Sequence, residues 1–149
     1  MSIDLNEEAR NLILDLLPGR LLGDRVSFHR SGTEAGLAPG LVARIQKPGY
    51  TTTIGVAASI VEDLGHQLRL GDYDCPPVEA ARRWVKTLLQ EIRMSQRQLA
   101  IQTGVDIDSV NRFLNGRYQD IRLSTLNIYF NYLKTEAHLR VICLDRRDR

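Results

Sequence analysis

The stretch SQRQLAIQTGVDIDSVNRFLNGR, Ser95 to Arg117, decides how the rest of the chain reads. Ser95 carries a hydroxyl that can accept from the free backbone N–H groups of a first helical turn, so it is expected to cap a helix over Gln96 to Thr103. Leu99 and Ala100 give that helix an apolar face, and Gly104 offers the left-handed conformation in which helices commonly end. Asp106 is expected to cap a second helix, Ile107 to Asn115, closed by Gly116. Its spacing puts Val110 and Phe113 on the side of Leu99, and leaves Ile107, Asp108, Ser109, Asn111, Arg112 and Asn115 outward. Two short helices joined by a turn of a few residues containing glycine have the form of a helix-turn-helix.

Working outward, Glu79 to Arg93 has Trp84, Val85, Leu88, Leu89 and Ile92 at the spacing of an amphipathic helix. Beyond the motif, Leu123 to Leu133 continues the helical pattern, and His138 to Asp145 alternates Leu139, Val141 and Cys143 against Arg140 as a half-buried strand does. One unit is expected to contain five helices, the later ones within Leu123 to Leu133, and a tail strand. Met94-Ser95, Gln96, Leu99-Ala100, Gly104, Asp106, Val110 and Asn115-Gly116-Arg117 occur in the order and spacing of a known family. Residues 79 to 135 or so closely resemble the helix-turn-helix of Xre/Cro-like phage and plasmid repressors.

The resemblance implies sequence-specific binding of double-stranded DNA, transcriptional regulation with repression as the habit of the family, and an origin in a prokaryote, phage or mobile element. It also implies roles. Ile107, Asp108 and Arg112 would face bases, with Arg112 gripping guanine, Asp108 accepting from cytosine and Ile107 touching a thymine methyl group. Ser109 and Asn111 belong to the same outward hydrogen-bonding set, while Gln96, Asn115, Arg117 and Arg122 would hold phosphates. One departure stands out: Asp106 and Asp108 place two carboxylates where phosphates approach.

The first half reads as a weaker copy of the second. Val26-Ser27 falls on Met94-Ser95, Gly36-Leu37 on Gly104-Val105, Val42 on Val110, Arg44 on Arg112, Ile45 on Phe113 and Tyr50 on Tyr118. Ile54, Ala57, Ile60 and Leu64 fall on Leu123, Leu126, Tyr129 and Leu133; upstream, Glu7, Ala9, Arg10 and Ile13 fall on Glu79, Ala81, Arg82 and Val85. Each copy closes with an alternating stretch, His66-Gln67-Leu68-Arg69-Leu70 and His138-Leu139-Arg140-Val141. The expected fold is all-α, a tandem of lambda-repressor-like helix-turn-helix domains each followed by a short β-strand. Residues 1–71 form the degenerate copy, 72–78 a Gly- and Pro-marked linker, and 79–149 the DNA-binding domain. In the first copy Ser31-Gly32 replaces Leu99-Ala100 and Pro39-Gly40 replaces Ile107-Asp108, so only Arg44 and Lys47 remain as DNA contacts. That copy is expected to serve dimerisation, binding of a protein partner or auxiliary phosphate contact.

Charge follows the same division. Residues 1–75 hold seven basic and ten acidic side chains, a balance of −3, and residues 76–149 hold thirteen and eight, a balance of +5. A basic half suits a polyanion, because neutralising phosphates releases counterions. The sequence has no phosphate-cradling glycine loop, nucleophile elbow or paired metal-binding histidines, and His29, His66 and His138 are scattered, so neither an enzyme nor a cofactor or metal is expected. Cys75 and Cys143 stand alone and are read as reduced thiols. No apolar run reaches the roughly 20 residues that span a bilayer, and a cytoplasmic protein is expected. A homodimer is expected because one recognition helix reads few base pairs, with a tandem pseudo-dimer of the two copies as the alternative; the tail strand would pair with its counterpart in a second chain or with Leu68 to Leu70 of its own. The rival reading is a protein-interaction module, antitoxin-like or an anti-activator, that has repurposed its helix-turn-helix.

Overall fold

The computed structural model describes residues 3–17 and 40–143. Among them are seven helices: α1 (Leu5–Leu16), α2 (Leu41–Gln46), α3 (Ile54–Asp63), α4 (Pro77–Glu91), α5 (Gln96–Thr103), α6 (Ile107–Leu114) and α7 (Leu123–Tyr132). Strand β1 (His66–Leu70) follows α3, and β2 (Leu139–Cys143) follows α7. The architecture is thus mostly helical with one small sheet. The first-half counterpart of the helix-turn, Val26-Ser27 through Pro39, lies outside the described residues, as do Leu144 and Asp145 at the end of the tail.

Local chemistry accounts for the boundaries in the second half. Pro77 opens α4, where a missing N–H costs nothing, and the helix ends before Arg93 turns to φ 56°. Among the described residues the second half contains four helices rather than the expected five. Past α7, Lys134 adopts φ 53° and the chain then enters β2, leaving no room for a fifth. Segment 72–78 is held in place: Arg140 donates from Nε to the Gly71 carbonyl at 2.6 Å and from Nη2 to the Tyr73 carbonyl at 3.2 Å and the Asp74 carboxylate at 3.1 Å. Gly71 itself has φ 57°, and a β-carbon there would stand 2.5 Å from the Trp84 ring, so no other residue fits without displacing that ring.

The tail strand pairs within its own chain. β1 and β2 run antiparallel with Leu68 opposite Val141, Arg69 opposite Arg140 and Leu70 opposite Leu139, the second of the two pairings the alternation allowed. Their inward residues Leu68, Leu70 and Leu139 are buried, which fixes the register, since a one-residue slip would turn all of them to solvent.

The two halves share one core. Leu5, Ala9 and Ile13 of α1, Ile54 and Ala57 of α3, and Leu99, Phe113, Leu123 and Phe130 belong to a single continuous buried cluster. Helix α1 packs on α7, and α3 packs on α4. At the start of α1, Ile3 and Leu5 donate their backbone N–H groups to Asn131 Oδ1 and Asn127 Oδ1 of α7, at 2.8 and 2.7 Å. The loops preceding α3 and α7 meet in an antiparallel bridge between Thr53 and Arg122, with Ile54 N–H donating to the Ile121 carbonyl at 2.9 Å and Leu123 N–H to the Thr52 carbonyl at 3.1 Å. No helix among the described residues is long and apolar enough to cross a membrane.

Candidate nucleic-acid interface

Ser95 caps α5 through a reciprocal pair: its Oγ accepts from Gln98 N–H at 3.0 Å while Gln98 Oε1 accepts from Ser95 N–H at 2.8 Å. Two of the first-turn donors that a helix leaves free are thereby satisfied. Gly104 takes φ 77° and donates its N–H to Ala100 at 2.9 Å, which turns the chain sharply toward α6. There Asp106 Oδ2 accepts from Ser109 N–H at 3.3 Å. Carboxylates at this end of a helix also meet its positive dipole, which explains why one of the two unexpected acids is present.

Helix α6 is anchored by Val110, Phe113 and Leu114, all buried. Burying side chains of this size contributes about 1.5 to 3 kcal/mol each, so the orientation of the helix is fixed by its own apolar face. Opposite that face, Asp108, Arg112 and the cap residue Asn115 are exposed, while Ile107, Ser109 and Asn111 are half-buried. Ile107 packs partly against the core, leaving only part of its side chain outward. Arg117 and Arg122 are exposed in and after the loop that follows α6, and Gln96 is half-buried in the first turn of α5. Arg44 and Lys47 are exposed too, but on a different element, α2 and the residue after it.

Two residues not singled out from the sequence organise this surface. Tyr118 lies in the loop after α6, and its hydroxyl accepts from Arg112 Nη1 at 3.2 Å. The Arg112 guanidinium also stands 5.9 Å from the Tyr118 ring centre. The Tyr118 hydroxyl first, and then the Asp108 and Asp106 carboxylates, hold the guanidinium still more firmly in its charged form. Arg82 of α4 works from behind. Its Nε donates to the Phe113 carbonyl at 2.8 Å and its Nη2 to the Tyr118 carbonyl at 2.8 Å, and its guanidinium lies 5.6 Å from the Phe113 ring centre. A cation at the C-terminal carbonyls of α6 meets the negative end of that helix and ties the helix to the loop. Neither residue carries a local signal, because each acts on a segment distant from its own helical pattern.

Between α6 and α7 opens a cavity of about 380 Å³ lined in part by Ser109, Tyr118, Asp120, Arg122 and Tyr129. Burial pushes the Tyr129 hydroxyl up to about 12, so it stays protonated at neutral pH. Asp120 accepts from Thr53 Oγ1 at 2.5 Å, Gly55 N–H at 2.7 Å and Ile121 N–H at 2.8 Å. Its charge is therefore turned into the protein, toward the first turn of α3. Among the described residues no group of three or more His, Cys, Asp or Glu side chains could hold a metal, and Cys75 and Cys143 are free thiols.

The arrangement offers a rigid, dipole-capped helix with a positioned cation on its open face and further cations on the loop behind it. Residues 85–136 match the family described as the Cro/C1-type HTH DNA-binding domain. The chain matches no curated protein and no solved structure. The matched segment contains α5 and α6, the two short helices joined by the turn at Gly104.

Proposed function

We propose that this protein is a sequence-specific regulator of transcription that inserts α6 into the major groove of double-stranded DNA. Arg112 carries the reading: it is an exposed guanidinium on the open face of the helix, held by Tyr118 and free to present its remaining donors. A planar fork of that kind matches the O6 and N7 acceptors of guanine. Ile107, Asp108, Ser109 and Asn111 complete the base-facing set. Gln96, Asn115, Arg117 and Arg122 surround it and hold phosphates, fixing register without reading sequence. Occupying a promoter in this way makes the protein a repressor that acts in the cytoplasm of a prokaryote, or on behalf of a phage or mobile element. It needs no cofactor and performs no catalysis.

One observation favours a second reading. Asp108 is an exposed carboxylate on the same face, and repulsion from phosphates would be absent if α6 met a protein, as in an antitoxin-like or anti-activator module. Selection of bound fragments from random duplex DNA separates the two. A defined motif, with affinity falling steeply as salt rises, supports the DNA reading. Failure to retain any duplex at low ionic strength rejects it.

A further inference from the structure

We infer that the chain is a single-chain pseudo-dimer that grips DNA twice, with α6 reading bases in one half-site and Arg44 and Lys47 of α2 holding phosphates in the other. The inference rests on the DNA-binding reading above and replaces the expected homodimer. Its basis is an approximate two-fold relationship between the halves, visible wherever corresponding residues meet. In the sheet, Arg69 of the Leu-Arg-Leu stretch lies directly opposite Arg140 of the Leu-Arg-Val stretch, so each strand faces its own counterpart about a shared centre. At the bridge, Thr53 pairs with Arg122, and each immediately precedes a helix of ten residues, α3 or α7. Any antiparallel bridge has reciprocal hydrogen bonds. The distinctive point is that the two bridged residues directly precede Ile54 and Leu123, which are counterparts in a sequence alignment that owes nothing to the fold.

Two further relationships are independent of those pairings. Arg10 Nε donates to the Ile45 carbonyl at 2.8 Å, and Arg82 Nε donates to the Phe113 carbonyl at 2.8 Å. Both the donors and the acceptors are counterparts, so the same bond ties the same helix to the same helix end in each half. Packing across the halves is reciprocal as well: α1 packs on α7, and its counterpart α4 packs on α3; α1 packs on β2, and α4 on β1. This is the contact pattern of an isologous dimer, in which a contact from one subunit to the other is returned by its mate. The symmetry is broken at Asp120, which caps α3 from the second half, whereas α7 has no side-chain cap.

A two-fold axis carries each element to the same height along itself. If it passes through the bridge and the strand pair, it brings α2 to the same side of the molecule as α6. The loops after α2 and α6 are themselves joined at Thr53 and Arg122, so the two helices are held at a fixed spacing within one chain. Arg44 occupies the place of Arg112, and Lys47 that of Asn115. Both are exposed, and α2 is only six residues long with no side-chain cap at Gly40. Such a helix offers charge without the hydrogen-bonding length of α6. Two-fold DNA binders place their half-sites about 34 Å apart; here the second half-site would be held by its backbone alone.

Sedimentation of the protein with duplex DNA, fragment selection and phosphate protection test this together on the full chain. The expected result is one chain per duplex and a selected motif confined to one side. Backbone protection should extend beyond the motif on the other side. In Arg44→Ala/Lys47→Ala, two exposed substitutions, the extra protection should vanish and the slope of log affinity against log salt should fall by about 2, with the motif unchanged. Two chains on a palindromic motif, or a double variant with the wild-type slope and protection, overturns the second grip and leaves the DNA reading standing. Wild-type protein that binds no duplex overturns both.

Discussion

Arg112 and Tyr118 are held together twice, by a 3.2 Å hydrogen bond from Nη1 to the phenolic oxygen and by the guanidinium lying 5.9 Å from the ring centre. Six residues separate them along the chain, and the loop between them is secured by the Arg112 carbonyl, which accepts from Arg117 N–H at 2.8 Å and Tyr118 N–H at 3.2 Å. The side chain proposed to read sequence is thus braced before DNA arrives, which reduces the rotamer freedom it must lose on binding.

Arg112→Ala should therefore lose discrimination more than affinity. A bidentate pair to guanine accounts for about 1 to 3 kcal/mol between right and wrong bases. Competition between the selected motif and a variant changed at that base should show the preference collapse, while binding to unrelated duplex changes little. Tyr118→Phe keeps the ring and removes the hydrogen bond, so it should fall between wild type and Tyr118→Ala. Equal specificity in all four proteins would show that this pair reads nothing.

Arg117→Ala and Arg122→Ala should behave differently. Each removes one exposed cation from the rim of the motif, so each should weaken binding to all duplexes alike and reduce the salt slope by about 1. Titrations over a range of ionic strength check both quantities. A change in motif without a change in slope would move either residue from the backbone to the bases.

The helix-turn-helix was legible because its signals are local: Ser95, Gly104 and Asp106 sit within a few residues of the turns they govern. What was not legible is long-range. Arg82 reaches the end of α6 from another helix, and Asp120 caps a helix of the other half; no periodicity encodes either contact. The tail strand shows a related limit, since alternation predicts a strand and a buried face but is indifferent to which partner supplies the hydrogen bonds. The expected fifth helix failed for a different reason: Leu123 to Leu133 resembles the family's later helices, whereas that stretch forms the single helix α7, after which the left-handed turn at Lys134 diverts the chain into β2.

Asp120 gives a stability prediction. Asp120→Ala leaves the Gly55 N–H and the Thr53 hydroxyl without their acceptor at a part-buried junction, and losses of this kind cost about 1 to 3 kcal/mol. The midpoint of thermal unfolding should drop by several degrees. Gly55→Ala is informative beside it, because a β-carbon at Gly55 would lie 2.6 Å from Asp120 Oδ2. That clash disappears once Asp120 is alanine, so the two substitutions together should cost less than their separate effects added. Strict additivity would mean that the carboxylate does not occupy this position in solution.

Tyr129 supplies a pH prediction whose sign follows from its burial. Its hydroxyl is raised from 10.0 to about 12, so below pH 10 both the folded and the unfolded chain keep the proton and this group adds no pH dependence. Between those two values the unfolded chain releases its proton while the folded chain cannot, and the stability contributed by the neutral form is lost as pH rises. At about 1.4 kcal/mol per unit of pKa difference, the loss approaches 2 to 3 kcal/mol near pH 12. Tyr129→Phe has nothing to ionise there, so denaturant unfolding of both proteins from about pH 9 to 12 should show the wild type losing stability relative to the variant by that amount. Parallel curves over the whole range would place the Tyr129 hydroxyl in water rather than in the wall of the cavity between α6 and α7.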